Sequence, residues 1–449
     1  MGYNPMYSKD DVLRIIDEQH IRFVVMWFTD ITGIVKNVTI PSGRIAHVID
    51  NGMSFDGSSL EGFARVAESD MVLRPDLSTF MVLPWESGES STARLLCSVH
   101  TPNGDPFIGD PRNILNRQIK HAAEFGFSFK TGVELEFFLF HANQEKPQFP
   151  LMPHDEASYF DISNDFAHSI RRKMIDTLIM TGIAVDSAHH EIGFGQHELI
   201  LGYQDALVSA DHLLTTRVAL RTIAQRNQLF CTFMPRPSAS LPGSGMHTHQ
   251  SLHALDSDVN IFADPTDAYG LSATARYFLA GQLLHARAMC AVLAPLVNSY
   301  KRIGVSFEAP MYVAWGHVNR GGSAVIRVPH IPPGREANTR LEIRCPDPSA
   351  NPYLAFTVML AAGLDGIEQK LSLPDALEEA FVKEERRRQR EILPLSLGEA
   401  LDALSQDDVI LGALGPYISD RYLAAKRQEV SDYNRQVTAW EVERYLSRY

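Results

Sequence analysis

At 449 residues with 45% hydrophobic side chains, the chain has room for two or three average domains and a sizeable core, which excludes a disordered or fibrous protein. Its 41 Lys and Arg stand against 54 Asp and Glu, a net charge of −13 that repels nucleic-acid backbones and anionic membranes, so neither is expected as a partner. No leader or membrane-spanning stretch is read from the sequence, and Cys97, Cys231, Cys290 and Cys345 are too scattered for a disulfide framework or zinc site, so a cytoplasmic protein with buried thiols is expected.

Along the chain, Ser8 with Asp11 three residues on predicts a capped first helix carrying Val12, Ile15 and Ile16. RFVVMWF (22–28), IVKNVTI (34–40), FMVLPW (80–85) and ARLLCSV (93–99) read as strands, giving a small sheet with one or two helices. HTPNGDPFIGDPRN is turn and linker chemistry, and the domain boundary is placed there, dividing residues 1–105 from 106–449. Asp110 and Pro111 then read as an N-cap and first helical residue. Strand-like and helical segments alternate beyond, which means α/β or α+β, with long helices near 165–182, 205–227, 271–293 and 351–370 and a helical tail from about 375.

Four clusters carry chemistry. In GVELEFF, Glu134 and Glu136 sit two apart on a strand and share a face, which alone suits a solvated sheet surface as well as a metal site. HHEIGFGQHEL holds Glu191 and Glu198 among three histidines, denser in ligand-type groups than a plain turn needs. GSGMHTHQSL puts His247, His249 and Ser251 on one face behind a Gly-Ser-Gly turn suited to close ligand approach. TRLEIRCPDP alternates Arg340, Glu342 and Arg344, and Arg302, Glu308, Arg320 and Arg327 lie upstream. Such guanidinium groups suit bidentate capture of carboxylate or phosphate. Converging Glu carboxylates with one imidazole and no thiolate favour Mg²⁺ or Mn²⁺, two or more ions. With no GxxxxGK[ST] and no GxGxxG, a nucleotide would be held by metals and arginines instead.

Taken in order, FDGSSLEGF, GVELEFF, HHEIGFGQHE, GSGMHTHQSL, NSYKR, FEAP, NRGGSAVIRVP and RLEIRCPDPSANPYLAF resemble type I glutamine synthetase across almost the whole chain. The resemblance implies an α+β fold, a small β-grasp-like N-terminal domain before a larger α/β catalytic domain, and a homo-oligomer of two stacked hexameric rings with sites between neighbours. It implies ATP and L-glutamate as substrates, with ammonium or an organic amine as acceptor. Glu136, Glu191 and Glu198 would hold one metal and Glu134, His247 and Glu342 another. Gly243, His247, Arg302 and Arg344 would hold glutamate under a flap bearing Glu308; Asp186, His249, Ser251, Arg320, Arg327 and Arg340 would serve ATP. Asp56, Ser59, Tyr159, Glu191 and Glu308 match the ammonium pocket, Asp56, Glu308 and Arg320 being the candidate catalytic groups, and Arg65 matches a feedback-sensing arginine. With no tyrosine between Leu371 and Leu395, control by adenylylation is not expected.

Departures cluster near the substrates: Pro242 precedes Gly-Ser-Gly where Asn is usual, Phe194 replaces a Pro or small residue, Asp186 replaces Glu, the flap reads IGVSFEAP, and Gly321 and Gly322 look inserted. Glutamine synthesis, γ-glutamylamide synthesis from an organic amine, and a catalytically silent relative are the readings carried forward.

Overall fold

The computed structural model describes residues 7–58, 70–86, 88, 91–142, 152–161, 165–303, 309–317, 324–377 and 391–449, with the backbone alone at 165–167. Helix α1 (Lys9–Glu18) starts at the expected cap: Ser8 Oγ accepts from the Asp11 N–H at 3.1 Å and the Asp11 carboxylate accepts from the Ser8 N–H at 3.0 Å. Both donors would otherwise be left over at a helix start.

Val12 and Ile16 pack on a five-stranded sheet of order β2-β1-β5-β4-β3: β1 (Phe23–Thr29), β2 (Val35–Pro41), β3 (Met53–Asp56), β4 (Asp70–Val82) and β5 (Thr92–His100). Only the β1–β5 pair among these is parallel. The strand expected over 80–85 is the end of a much longer one: β4 begins at Asp70, slips register against β5 between Asp76 and Met81, and stops at Val82. Asp76 accepts from the backbone and hydroxyl of Ser78 at that slip, so the sequence there reads as a turn. Helix α2 (Ile45–Asn51) is the second of the one or two helices expected beside this sheet, but neither it nor the four-residue β3 has a place in the sequence reading, both being too short to show a period.

Helix α3 (Pro111–Glu124) is capped by Asp110, as expected. It leads into β6 (Phe127–His141), the spine of a nine-stranded sheet of order β12-β13-β14-β11-β6-β8-β7, with β9 and β10 also paired to β6. These are β7 (Val185–His190), β8 (Gln196–Leu201), β9 (Gln204–Asp205), β10 (Leu229–Thr232), β11 (Met246–Ala254), β12 (Tyr312–Gly316), β13 (Ala324–Arg327) and β14 (Leu341–Ile343). Along β6 the odd residues Val133, Leu135, Phe137 and Leu139 are fully buried, which commits Glu134 and Glu136 to the opposite face. The core beneath is covered by α4 (Asp165–Met180), α5 (Ala206–Arg226) and α8 (Pro352–Gln369), at the expected places. The segment 271–293 is two helices, α6 (Ala273–Leu284) and α7 (Ala286–Leu293), broken at His285, whose ring bonds Asp365 and Asp407 instead of lying on a helix face. The tail is helical over Leu397–Leu404, Asp408–Leu414, Pro416–Asn434 and Ala439–Tyr445; residues 378–390 lie outside the described residues. Among the described residues no helix is long and apolar enough to cross a membrane.

Candidate active site

Residues directly opposite one another in an antiparallel ladder project from the same face, so pairing decides which side chains meet. Glu134 pairs with His247, Glu136 with Glu198, His189 with Glu198, His249 with Glu342, and Arg327 with Glu342. Five strand junctions therefore bring residues far apart in sequence to one surface of the large sheet, the surface that β6 turns away from the core.

On one side, His247 Nδ1 lies 3.2 Å from Glu134 Oε2 and 3.6 Å from Glu342 Oε1. His249 Nε2 lies 2.7 Å from Glu134 Oε1, and Arg340 Nε donates to His249 Nδ1 at 3.2 Å, which assigns the His249 proton to Nε2 and aims it at Glu134. Arg327 Nη1 donates to Glu342 Oε2 at 3.0 Å and Arg344 Nε lies 3.3 Å from Oε1, so the three arginines of this edge lean on the cluster. Burial by itself would raise the Glu134 carboxyl, but the hydrogen bonds from His247 and His249 outweigh it and hold the group well below the usual range.

On the other side, His189 Nε2 lies 3.0 Å from Glu191 Oε1 and 3.0 Å from Glu198 Oε2. Burial and then the charges of Glu134, Glu136, Glu191 and Glu342 push the Glu198 carboxyl up to about 9. Glu136 stands between the two groups; its Oε2 accepts from Gln196 Nε2 at 3.0 Å and from the Gly245 N–H at 2.9 Å, and burial followed by Glu191 raises it against the pull of His247 and Arg302. Ligand atoms of Glu134, His247 and Glu342, and of His189, Glu191 and Glu198, come within 4.8 Å of one another in each trio, close enough to share an ion. Oxygen and imidazole donors without thiolate fit a hard divalent cation, and the Glu198 shift marks a local shortage of positive charge that such a cation would relieve.

The Gly-rich turn earns its composition at Gly245: a Cβ there would sit 2.6 Å from Arg302 Nη2 and 3.0 Å from both Glu136 Oε1 and His247 Nε2. A Cβ on Gly243 would strike Arg302 Cγ at 2.7 Å. Arg302 itself is buried and donates to the carbonyls of Arg344, Cys345 and Pro346, fixing the chain just after β14. Ser251 is buried under the Tyr203 hydroxyl at 2.7 Å. Asp186 is exposed on β7, and Asp56 is exposed at the end of β3 in the small sheet, its carboxylate accepting from the Ser58 N–H. Tyr159 is exposed, packs at a tilt against Phe160 with ring centroids 4.1 Å apart, and edges onto His189 at 5.5 Å. Ser59, Arg65, Glu308, Arg320, Gly321 and Gly322 lie outside the described residues.

His189, Gln196 and Asp155 were not singled out from the sequence. Alternation along β7 and β8 could have found the first two, because it puts His189, Gln196 and Glu198 on the face of Glu136 and sends His190 and His197 behind it. Behind the face, Asp155 accepts from the Gly195 N–H and meets His190 Nε2, each at 2.9 Å, and His190 Nδ1 lies 2.6 Å from the Glu191 carbonyl. These bonds brace the turn that carries Glu191, and Pro242 packs on the same turn, 2.7 Å from where a Gly193 Cβ would lie.

Comparison with known proteins places this geometry. Residues 20–102 match the family described as glutamine synthetase, beta-Grasp domain, and residues 108–445 the one described as glutamine synthetase, catalytic domain. A glutamine synthetase of Thermus thermophilus is 44% identical over 452 residues, covering 99% of this chain and 100% of that one. One from Halobacterium salinarum is 44% identical over 444 residues, covering 98% and 96%. Among solved structures, a GmaS/ADP complex superposes with a TM-score of 0.87 at 33% identity over 97% of this chain and 99% of that chain.

Proposed function

The chain belongs to the glutamine synthetase family, whose members are ATP-dependent ligases, and we propose that it joins ammonia to the γ-carboxylate of L-glutamate through a γ-glutamyl phosphate. The observation that carries this reading is the single sheet face on which Glu134, Glu136, Glu191, Glu198, Glu342 and His247 converge with Arg327, Arg340 and Arg344 along one edge.

A carboxylate is a poor acyl donor; phosphorylation gives it a leaving group and removes the charge that repels nucleophiles. In this proposal Glu134, His247 and Glu342 hold one Mg²⁺ or Mn²⁺ and Glu136, Glu191 and Glu198 another, with His189 bridging Glu191 and Glu198. Divalent cations held there supply neutralisation of the phosphoryl oxygens during transfer. Arg327, Arg340, His249, Ser251 and Asp186 position ATP, and Arg320 approaches the transferring phosphoryl. Gly243 and Arg302 line the glutamate site, Gly245 lets Arg302, Glu136 and His247 close in on the turn, and Arg344, already leaning on Glu342, takes a substrate carboxylate. Glu308 closes over the acyl phosphate and excludes water. Asp56 and Ser59 of a neighbouring subunit, with Tyr159, attract ammonium, and a carboxylate takes its proton to make the nucleophile. Completion by a neighbour fits the exposed position of Asp56 on the small sheet, and the assembly proposed is a cytoplasmic dodecamer of two hexameric rings.

A second acceptor class has its own support: Tyr159, Phe160, Ile192 and Phe194 form an exposed apolar rim beside His189 and Glu191, suited to the alkyl or aryl part of an organic amine. The deciding experiment is glutamate-dependent phosphate release from ATP with Mg²⁺, run in parallel with ammonium, methylamine, ethanolamine, putrescine, isopropylamine and aniline. Strongest turnover with ammonium is expected. Strong turnover with one organic amine alone reassigns the chain as a glutamate–amine ligase, and silence with all of them leaves a catalytically inactive relative.

A further inference from the structure

Where the small domain meets the large one, a cavity of about 480 Å³ opens between the β1–β2 turn, α5, the start of α8 and the Pro416–Asn434 helix. None of the residues placed at the carboxylate face lines it. Its walls are apolar, with Ile31, Leu214, Val218, Leu296 and Leu354 among them, and its size lies within the roughly 300–1,000 Å³ usual for small-molecule pockets.

The charge of the lining departs from that of the chain. Among the described residues Arg217, Arg221 and Lys426 face the cavity and no Asp or Glu does, in a protein of net charge −13. Lys426 is compensated by Glu429 at 2.9 Å. Arg217 is not: it is 8% exposed, Nη2 donates to the Ala350 carbonyl at 2.8 Å and lies 3.6 Å from Met246 Sδ, and its buried Nε has no acceptor among the described residues. A buried guanidinium N–H without a partner is costly unless a ligand completes it. Burial, and then the like charge of Arg221, bring the Arg217 guanidinium down to about 9 against the weaker pull of Asp347, which fits a cation short of an anion. Arg221 lies over the Phe233 ring with its carbon 5.0 Å from the centroid, so a second guanidinium is turned along the same wall.

We infer that this cavity binds a small organic carboxylate with an apolar or aromatic body, its anionic end on Arg217 and Arg221 and its body against Leu214, Val218, Leu296 and Leu354. The guanidinium pair supplies the fork that carboxylates fit, and the walls explain why an apolar body is needed: a bare inorganic anion would be desolvated with few donors to receive it.

The test is calorimetric titration of the full-length protein with benzoate, benzamide and inorganic phosphate, at saturating glutamate so that the substrate carboxylate site is filled. Because removing Arg217 risks misfolding, the variants are Arg221→Gln, which loses an exposed guanidinium, and Val218→Phe, which fills the cavity. Expected is saturable benzoate binding, weakened about tenfold for benzamide and for Arg221→Gln and abolished by Val218→Phe, with ligase turnover retained in both variants. No saturation by benzoate up to about 10 mM, a range that already admits very weak ligands, overturns the proposal. So does benzamide or phosphate binding as tightly as benzoate, or benzoate binding that Val218→Phe leaves intact.

Discussion

Buried charge is handled in two opposite ways in this molecule. At the seam between the domains, Arg112 gives Nε and Nη2 to Asp211 at 3.0 and 2.8 Å and Nη2 also to Asp76 at 2.7 Å, while the Tyr353 hydroxyl donates to Asp211 at 2.6 Å. Burial alone would lower the Arg112 guanidinium, yet Asp211 holds it well above its usual value. Arg94, close by, ties the Thr79 carbonyl of β4 to the Thr215 hydroxyl of α5, each at 2.8 Å. On the carboxylate face the balance is reversed: among the described residues Glu198 has only His189 as an ion-pair partner, and it feels the negative charges of Glu134, Glu136, Glu191 and Glu342. At the seam Arg112 finds its carboxylates within the folded chain, whereas the face is left short of cations, which is the state a binding site has and a structural ion pair does not.

The contrast predicts opposite outcomes for charge removal. The largest effect on turnover is expected from Glu198→Gln, a loss on the order of a thousandfold, as when one preorganised contact to a transition state is removed. Stability should move the other way. Because the folded Glu198 carboxyl is pushed from 4.5 up to about 9, ionising it costs stability progressively as pH rises through that window. The metal-free Glu198→Gln protein should therefore melt higher than the wild type above pH 4.5, with a gap that widens towards pH 9; Mg²⁺ should then raise the wild-type Tm and leave the variant nearly unmoved. Scanning calorimetry with and without Mg²⁺ reads this, and a variant that melts lower at every pH would remove the contrast. At the seam, Asp211→Ala strands Arg112 and Tyr353 and should cost about 3–5 kcal/mol in denaturant unfolding, as breaking one half of a buried pair does. Phosphate release per folded molecule should stay within about twofold of wild type, since the side-chain partners of Asp211 among the described residues are Arg112 and Tyr353, neither on the carboxylate face. A thousandfold loss of turnover there would show that the seam belongs to the site.

The sequence made the site more legible than the seam. Glu134 and Glu136, or His247 and His249, lie two apart on one strand, so period-two alternation alone puts each pair on a shared face, and ordered motifs linked the pairs to a family. The Gly-Ser-Gly turn signalled close approach, and at Gly245 a Cβ would meet Arg302, Glu136 and His247 side chains within 3.0 Å. What alternation could not give was the pairing across strands: nothing in VELEF says that Glu136 lies opposite Glu198, or that His189 meets Glu198 from the next strand. Arg112 and Asp211 are 99 residues apart on helices without a local pattern, so their buried pair was invisible. Short elements failed for the same reason: β3 and α2 offer too few residues to show a period, and the break at His285 depends on carboxylates 80 and 122 residues away.

His285 sits between the two extremes and gives the smallest effect. Its Nδ1 lies 2.6 Å from Asp407 Oδ2 and its Nε2 3.1 Å from Asp365 Oδ2, so one imidazolium answers two carboxylates where α6 breaks into α7. Burial would lower the ring, but the bonds to Asp407 and Asp365 outweigh it and raise it above the ordinary 6.5. A raised folded-state value means the ring contributes its full stability below pH 6.5, the unfolded value, and loses it as pH climbs through the folded value. His285→Gln keeps a donor but not the charge, so it should cost about 1–2 kcal/mol in acid, the scale of one charge-assisted hydrogen bond, and less as pH rises. Denaturant unfolding of both proteins from pH 5.5 to about 8.5 reads the difference, a range chosen to straddle the ordinary histidine value. A gap that stays flat across that range would mean that His285 is held neutral, and that it belongs with the packed residues rather than between the seam and the carboxylate face.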